Sequence, residues 1–260
     1  MNIVVLVRQV PDTSQERTLS GSGHTLDREA SDLVLDEINE RAVEEALRLK
    51  ESTDAHVTLG SMGPESAVDA IRKGLAMGAD AGVHICDERL HGSDVLTTAR
   101  VLATAAGTVE DVDLILAGNE ATDGQASAVP AIVADLLNLP QLTQVRELEI
   151  TGRQVRAERE TEEGGVTLEA SLPALVSVTE KTNEPRYPSF KGIMAAKKKP
   201  VRTLSLDDLV PDPVAAGLLA PRCRVLEAVP RPPRAAGVRA EDDGHGGMRI
   251  AEYLVTQKLI

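Results

Sequence analysis

Tryptophan is absent from this chain of 260 residues, phenylalanine occurs once and tyrosine twice. A core must therefore be built from aliphatic side chains, and the hydrophobic fraction of 42% is enough for a globular fold. Long apolar runs are also missing. None approaches the roughly 18 residues that a membrane-spanning helix needs, so membrane insertion is not expected. The first residues, Met1-Asn-Ile-Val-Val-Leu-Val-Arg8, lack a basic leader and read as a first strand rather than a signal peptide. Only two cysteines occur, Cys86 and Cys223, too far apart to form a motif. That usage suits a reducing, cytoplasmic setting. Cations are in deficit, with a formal charge of −13, which argues against nucleic acid or an anionic membrane as partner.

Several chemical signatures are missing too. There is no P-loop and no Gly-x-Gly-x-x-Gly, and no serine sits in a Gly-x-Ser-x-Gly elbow. His84, Cys86 and His91 lack the paired spacing of a zinc site. His24, His56 and His245 stand alone in polar or flexible surroundings. The acidic pairs Glu44/Glu45 and Glu162/Glu163 read most simply as solvated faces. Nothing forms a self-sufficient catalytic constellation, so the expectation is a protein that is not an enzyme on its own.

What is present is an alternation of strands and helices through the first 140 residues. Ile3–Val7 is a continuous aliphatic run suited to a strand covered on both faces. A polar excursion, Thr13–Asp32, is too long for a tight turn and reads as functional or lid-like. Asn39–Lys50 follows as an amphipathic helix that Asn39 can cap. Then come strand His56–Leu59, helix Ser66–Met77 closed by Gly78, strand Gly82–Cys86, helix Asp94–Ala106, strand Leu114–Ala117 and helix Ala126–Leu137. This rhythm predicts an α/β fold with a mostly parallel sheet and helices on both faces.

After Pro140 the pattern changes to short alternating runs, Leu148–Ile150, Gln154–Glu160 and Val166–Leu172, with a hairpin signal at Glu163-Gly164-Gly165. Glu158 and Glu160 project to one face. Ala174–Val178 returns to an aliphatic strand. Residues 211–260 read as an extended arm, thin and rich in Pro and Arg, with a flexible stretch at Arg239–Gly247 and one amphipathic helix, Met248–Leu259. That helix needs a surface to cover its apolar face. The expected division is a nucleotide-binding domain over 1–210 and the arm over 211–260.

Two segments invite binding. Ala117-Gly-Asn-Glu-Ala-Thr-Asp-Gly-Gln-Ala-Ser-Ala128 follows a buried strand and opens a helix, where backbone N–H groups suit an anion. It lies beyond a strand's carboxyl end, the usual ligand position in such sheets. The second is Asn183–Lys199, with two prolines, a glycine and a lysine run, which reads as a loop. It holds Tyr187 and Phe190, two of the three aromatics, either packed beneath the loop or exposed as a docking anchor. Residues 181–204 carry seven Lys or Arg against Glu184 alone, a basic stretch on an acidic protein.

Together these segments resemble the β-subunit family of electron-transfer flavoproteins, in particular its actinobacterial branch. The most specific part is Val155-Arg-Ala-Glu-Arg-Glu-Thr-Glu-Glu-Gly-Gly-Val-Thr-Leu-Glu-Ala-Ser-Leu-Pro-Ala-Leu-Val-Ser177. Val5–Asp12, Asn39–Lys50, Gly74–Asp80, Gly118–Gly124 and Asn183–Lys199 support it in the same order, so the likeness runs nearly end to end.

The resemblance implies a Rossmann-like domain in a heterodimer with an α subunit, with FAD held mainly by α and a structural AMP in β. It implies electron transport from acyl-CoA dehydrogenases of fatty acid β-oxidation to a membrane quinone reductase. The AMP positions it implies are Leu6, Asp36 through Asn39, Met62, Gly118, Asn119, Asp123, Gly124, Gln125, Ala126, Ser127, Ala128 and Val129. Thr13 and Ile38 match positions near the flavin. Ala126-Ser-Ala-Val-Pro130 departs from the Thr, Gln and Gly common in relatives, which leaves more of the phosphate contact to backbone amides. Glu160 matches a residue that bridges to the α subunit. Tyr187, Phe190, Ile193, Met194, Lys197, Lys198 and Lys199 match the loop that docks on dehydrogenases, and the C-terminal arm matches a segment that wraps α. The competing reading is a free-standing adenine-nucleotide-binding regulatory protein.

Overall fold

The computed structural model describes residues 1–21, 25–219, 221–229, 232, 237, 239 and 242–260. In chain order the strands are β1 (Asn2–Leu6), β2 (Gln9–Pro11), β3 (Leu33–Leu35), β4 (His56–Met62), β5 (Ala81–Ile85), β6 (Val112–Gly118), β7 (Gln141–Thr151), β8 (Gln154–Thr161), β9 (Gly164–Ser171), β10 (Ala174–Val178) and β11 (Val201–Leu204). The helices are α1 (Glu37–Thr53), α2 (Val68–Met77), α3 (Val95–Ala106), α4 (Val129–Leu136), α5 (Phe190–Ala196), α6 (Leu206–Leu209) and α7 (Gly246–Thr256).

Nine strands form one sheet in the order β11-β5-β4-β1-β6-β10-β7-β8-β9. Every pair from β11 to β7 is parallel, and β7-β8-β9 is an antiparallel extension. β2 and β3 form a separate antiparallel pair.

Alternation along β1 shows why the parallel strands read as unbroken apolar runs. Ile3 and Val5 join a cluster with Val43, Leu47, Ile71 and Leu75 of α1 and α2. Val4 and Leu6 face the other way, into a cluster with Leu102 of α3 and Val133 of α4. Both faces are covered, so neither side of the strand tolerates polar residues. All three aromatic residues are exposed, Tyr187 at 96%, Phe190 at 82% and Tyr253 at 54%. The core is therefore wholly aliphatic, and the satellite-packing reading of Tyr187 and Phe190 fails.

The expected alternation holds, with corrections at element ends. α1 starts before Asn39, because the Asp36 carboxylate caps it by accepting from the N–H groups of Ile38 and Asn39. α4 begins at Val129 rather than Ala126, since Gln125 and Ser127 take left-handed conformations that end any helical run there. The loop expected over Asn183–Lys199 contains α5, capped by Ser189 Oγ on Gly192 N–H at 3.0 Å. Gly78 closes α2 with φ of 145°, as its position suggested. β7 is longer than the expected Leu148–Ile150 because its first half pairs with β10 and its second half with β8.

The chain divides into two compact units, Met1–Glu227 and Ala228–Ile260. Within the first, the start of the expected arm is tied down: Leu218 is buried, and the N–H groups of Arg222 and Cys223 donate to Asp94 Oδ2 at 2.6 and 3.0 Å. In the second, α7 buries none of its residues, leaving Met248, Ile250, Tyr253 and Val255 exposed. The flexible stretch expected over Arg239–Gly247 lies partly outside the described residues, as does His24.

Candidate functional site

From β1 the chain passes through α1 and α2 to β4 and β5 on one side, then returns through α3 to β6 on the other. Beyond the carboxyl ends of β1 and β6 the topology opens a crevice, the usual place for a ligand in such sheets. The implied nucleotide residues converge there. Leu6 ends β1, Gly118 ends β6, Asp36 and Asn39 start α1, residues 119–128 form the loop between β6 and α4, and Met62 ends the neighbouring β4.

Asp36 organises the crevice. It is fully buried, and one carboxylate oxygen caps α1 while the other accepts from the N–H and Oγ1 of Thr122 at 2.7 and 2.8 Å. A single side chain thus fixes the start of α1 against the β6–α4 loop. Gly118 serves the same contact. A Cβ there would lie 2.5 Å from Asn39 Nδ2 and 3.0 Å from Ile38 Cγ2. Glycine is needed for α1 to pack against the strand end.

Asp123 holds the loop from the other side. Its side chain is 1% exposed, and Arg8 grips it with Nε at 3.0 Å and Nη2 at 2.8 Å, while Arg28 Nη2 donates to the same carboxylate. Burial works to raise the pKa of Asp123, but Arg8 and Arg28 outweigh it and hold the carboxyl below its ordinary value. Arg17 adds a bond to Thr122 O at 2.7 Å. Arg17 and Arg28 belong to the polar excursion, whose base is closed by Asp12 N–H on Asp32 O and by Gln15 on Asp32. The described parts of the excursion, 13–21 and 25–32, are therefore fastened as a strap across the β6–α4 loop. Thr13 is exposed at its foot, and Ile38 is buried in the first turn of α1.

The loop itself presents donors. Among the described residues, the N–H groups of Ala126, Ser127 and Ala128 have no protein acceptor, and Asn119 Oδ1 is buried without a partner. Ser127 Oγ donates to Glu120 at 2.5 Å. Gln125 and Ser127 are left-handed on either side of Ala126, and left-handed residues within a turn are a feature of backbone anion-binding nests.

A second surface lies away from this crevice. Tyr187, Phe190, Ile193 and Met194 are exposed together on and beside α5, which packs on α2. The basic stretch is smaller than its composition suggests. Lys181 pairs with Glu160 at 3.2 Å, Arg186 with Glu44 and Glu51, and Arg202 bonds Thr108 Oγ1. Lys199 turns inward to Leu75 O and Ala79 O at the end of α2, and burial lowers its pKa. Lys191, Lys197 and Lys198 remain as exposed lysines without a partner among the described residues. Glu44 and Glu45, expected as a solvated pair, are 5% and 7% exposed. Burial, partly offset by Asn183, raises the pKa of Glu45.

Glu160 is half exposed on β8, with Arg146 3.9 Å away beside Lys181. His84 Nε2 contacts the carbonyls of Gly63 and Pro64, and no group of three His, Cys, Asp or Glu among the described residues could hold a metal. No described helix is long and apolar enough to cross a membrane.

Sequence reasoning missed Arg8, Arg17 and Arg28, and it placed Thr122 in the binding segment without its bond to Asp36. Arg8 and Asp123 are 115 positions apart, and nothing local marks them as partners. Asp36 did carry a signal as a cap, since Glu37 and Glu40 place acids in the first turn that follows.

Residues 24–209 match the family described as "Electron transfer flavoprotein domain". The chain is 54% identical over 264 residues to a protein of Mycobacterium tuberculosis named electron transfer flavoprotein subunit beta, covering all of this chain and 99% of that one. The corresponding protein of Mycobacterium leprae is 54% identical with the same coverage, and that of Megasphaera elsdenii is 35% identical over 271 residues, covering both chains in full. The chain belongs to the electron transfer flavoprotein family, and within it to the β subunits.

Proposed function

We propose that this chain pairs with an α subunit to form a soluble electron carrier, holding AMP in the crevice between β1 and β6 and enclosing one FAD with its partner. The observation that carries the nucleotide assignment is the set of unpartnered N–H groups at Ala126–Ala128 together with the orphaned Asn119 side-chain carbonyl of the same β6–α4 loop. These groups fit a nucleotide monophosphate: the backbone donors suit the phosphate oxygens, and Asn119 offers an acceptor that the protein itself does not satisfy. The Ala-rich stretch that replaces hydroxyl and amide side chains does not remove these donors. Leu6 and Met62 give the crevice an apolar wall for a base, and Asp36 and Asp123 hold the walls in place without needing to touch the ligand.

FAD, when bound, supplies the redox chemistry. The chain's own part is to shape one side of that site, near Thr13 and Ile38, and to bring electron donors close. Glu160 is the contact to the α subunit, and the arm ending in α7 covers its apolar face on the same partner. Acyl-CoA dehydrogenases supply electrons and a quinone reductase removes them.

Co-expression with an α-subunit gene of the family should yield a yellow heterodimer from which AMP elutes on denaturation. A colourless chain that stays monomeric with every α-like partner, yet retains an adenine nucleotide, would favour the free-standing regulatory protein instead.

The exposed patch gives the docking surface. Phe190 and Tyr187 present rings to solvent next to Lys191, Lys197 and Lys198, a combination suited to an acidic protein partner. Phe190→Ala should slow flavin reduction by an acyl-CoA dehydrogenase by about tenfold or more, the range of a lost interface anchor, with FAD content unchanged. Stopped-flow reduction of the heterodimer measures it, and unchanged kinetics would remove Phe190 from the docking surface.

A further inference from the structure

Residues 183–186, immediately before the exposed aromatics, are bound to α1 by an unusual density of polar contacts. The Glu44 Oε2 atom accepts from both the backbone N–H and the Nε of Arg186, at 3.1 and 2.8 Å, and Nη2 reaches Oε1 at 3.1 Å. Arg186 Nη1 extends to Glu51 at 2.5 Å. The hydrogen bonds that Arg186 donates to Glu44 and Glu51 raise its pKa, and Arg186 in turn lowers that of Glu51. Asn183 Nδ2 is shared between Arg41 O at 3.0 Å and Glu45 Oε2 at 3.1 Å. Glu44 and Glu45 are nearly fully buried, and besides these partners only the half-exposed Arg48 reaches them among the described ion pairs, at 3.4 and 3.9 Å.

The far end of the segment is fastened as well. Arg72 Nη1 donates to Ala196 O and Lys199 O, both at 2.8 Å, and Lys199 closes the end of α2. Gly192 seats α5 so closely on Ala76 O that a Cβ would collide with it. The exposed rings therefore sit on a short span between two anchored ends. Glu44 lies eight residues after Asp36, about 12 Å further along α1 at 1.5 Å per residue, so these anchors act at a distance from the nucleotide crevice.

We propose that Arg186 is a positioning residue for electron-donor docking: its bonds to Glu44 and Glu51 fix the stem of the Tyr187–Phe190 segment so that the aromatic anchor is presented pre-formed. This rests on the docking role of Phe190 proposed above. The physical gain is entropic. A loop already held in its bound conformation does not lose that freedom on association. Buried Glu44 makes the clamp specific for a fork-shaped cation, so lysine should replace Arg186 poorly.

The test is a double-mutant cycle on the purified, FAD-loaded heterodimer with Arg186→Gln, Phe190→Ala and the combination, read as dehydrogenase-driven flavin reduction. Arg186→Gln should raise the KM for the flavoprotein roughly fivefold to tenfold, consistent with added ordering cost in one loop, with kcat and reduction by dithionite little changed. Arg186→Lys should recover only part of the loss. In the Phe190→Ala background the Arg186 substitution should add almost nothing, because the anchor it positions is gone. Amide exchange at residues 187–192 should quicken in Arg186→Gln.

An effect of Arg186→Gln that persists undiminished in Phe190→Ala and fades with salt would overturn the inference, marking Arg186 as a steering charge. Normal kinetics in Arg186→Gln beside a slowed Phe190→Ala would overturn it while leaving the docking surface intact. A silent Phe190→Ala would defeat the docking reading itself. Should Arg186→Gln lose FAD or fail to fold, Glu51→Gln, which removes only the exposed half of the clamp, gives the same comparison with a smaller shift.

Discussion

Asp36→Ala is expected to cost about 3–7 kcal/mol of stability, the largest effect of any single substitution in the crevice. The figure has two parts. Losing the cap of α1 costs about 1 kcal/mol. Leaving Thr122 N–H and Oγ1 without their acceptor costs about 1–3 kcal/mol for each buried group. Against a typical total of about 5–15 kcal/mol for a folded domain, that is enough to lower the urea midpoint sharply. Asp36→Asn separates the parts, because Asn caps a helix about as well as Asp but has one acceptor oxygen where Asp36 uses two. It should lie between wild type and Asp36→Ala. Chemical denaturation followed by circular dichroism measures both, and a loss below about 1 kcal/mol for Asp36→Ala would show that Thr122 finds another acceptor. Loss of bound nucleotide should track the loss of stability, because the loop that Asp36 holds is also the loop that offers the free N–H groups.

The legible parts of the structure were those in which one local pattern decides the outcome. Ile3–Val7 could be read as a doubly covered strand because both faces are apolar, and the turn at Glu163-Gly164-Gly165 because glycine takes the left-handed backbone found at Gly164. Gly78 is the same kind of case. The features that stayed hidden depend on partners far along the chain. Glu44 and Glu45 look like any solvated acidic pair on a helix, yet they are buried and bonded to Arg186 and Asn183, some 140 positions later. Lys199 read as one of a surface run, yet its ammonium ends α2. α5 was obscured by Pro188 and Gly192, although Ser189 supplies the cap and Gly192 is what permits the helix to touch α2. The binding segment could be placed beyond a strand's carboxyl end from the strand–helix alternation, while its mechanical support by Asp36, Asp123 and three arginines could not.

Asp123→Asn should weaken the strap across the crevice and change how stability responds to acid. The two guanidiniums on Asp123 are 39% and 36% exposed, so solvent screens them. The cost should therefore be about 2–3 kcal/mol, below the roughly 3–5 that breaking a fully buried pair entails. The pH dependence follows from the direction of the shift. The folded carboxyl of Asp123 titrates below its ordinary value, so its contribution is fully present above the unfolded carboxylate range and is lost as pH falls through the lower folded value. Wild type should exceed Asp123→Asn by a constant margin from pH 5 to 7, and the margin should shrink below about pH 4, near the unperturbed aspartate pKa. Urea midpoints across that range test it. A margin that grows on acidification would mean that Asp123 is held protonated in the fold, and that Arg8 and Arg28 do not grip it as an anion. On the proposed placement of Thr13 beside the flavin, the same substitution should also shift the visible circular dichroism of the flavin in the heterodimer. That shift would tie the nucleotide loop mechanically to the flavin side of the subunit.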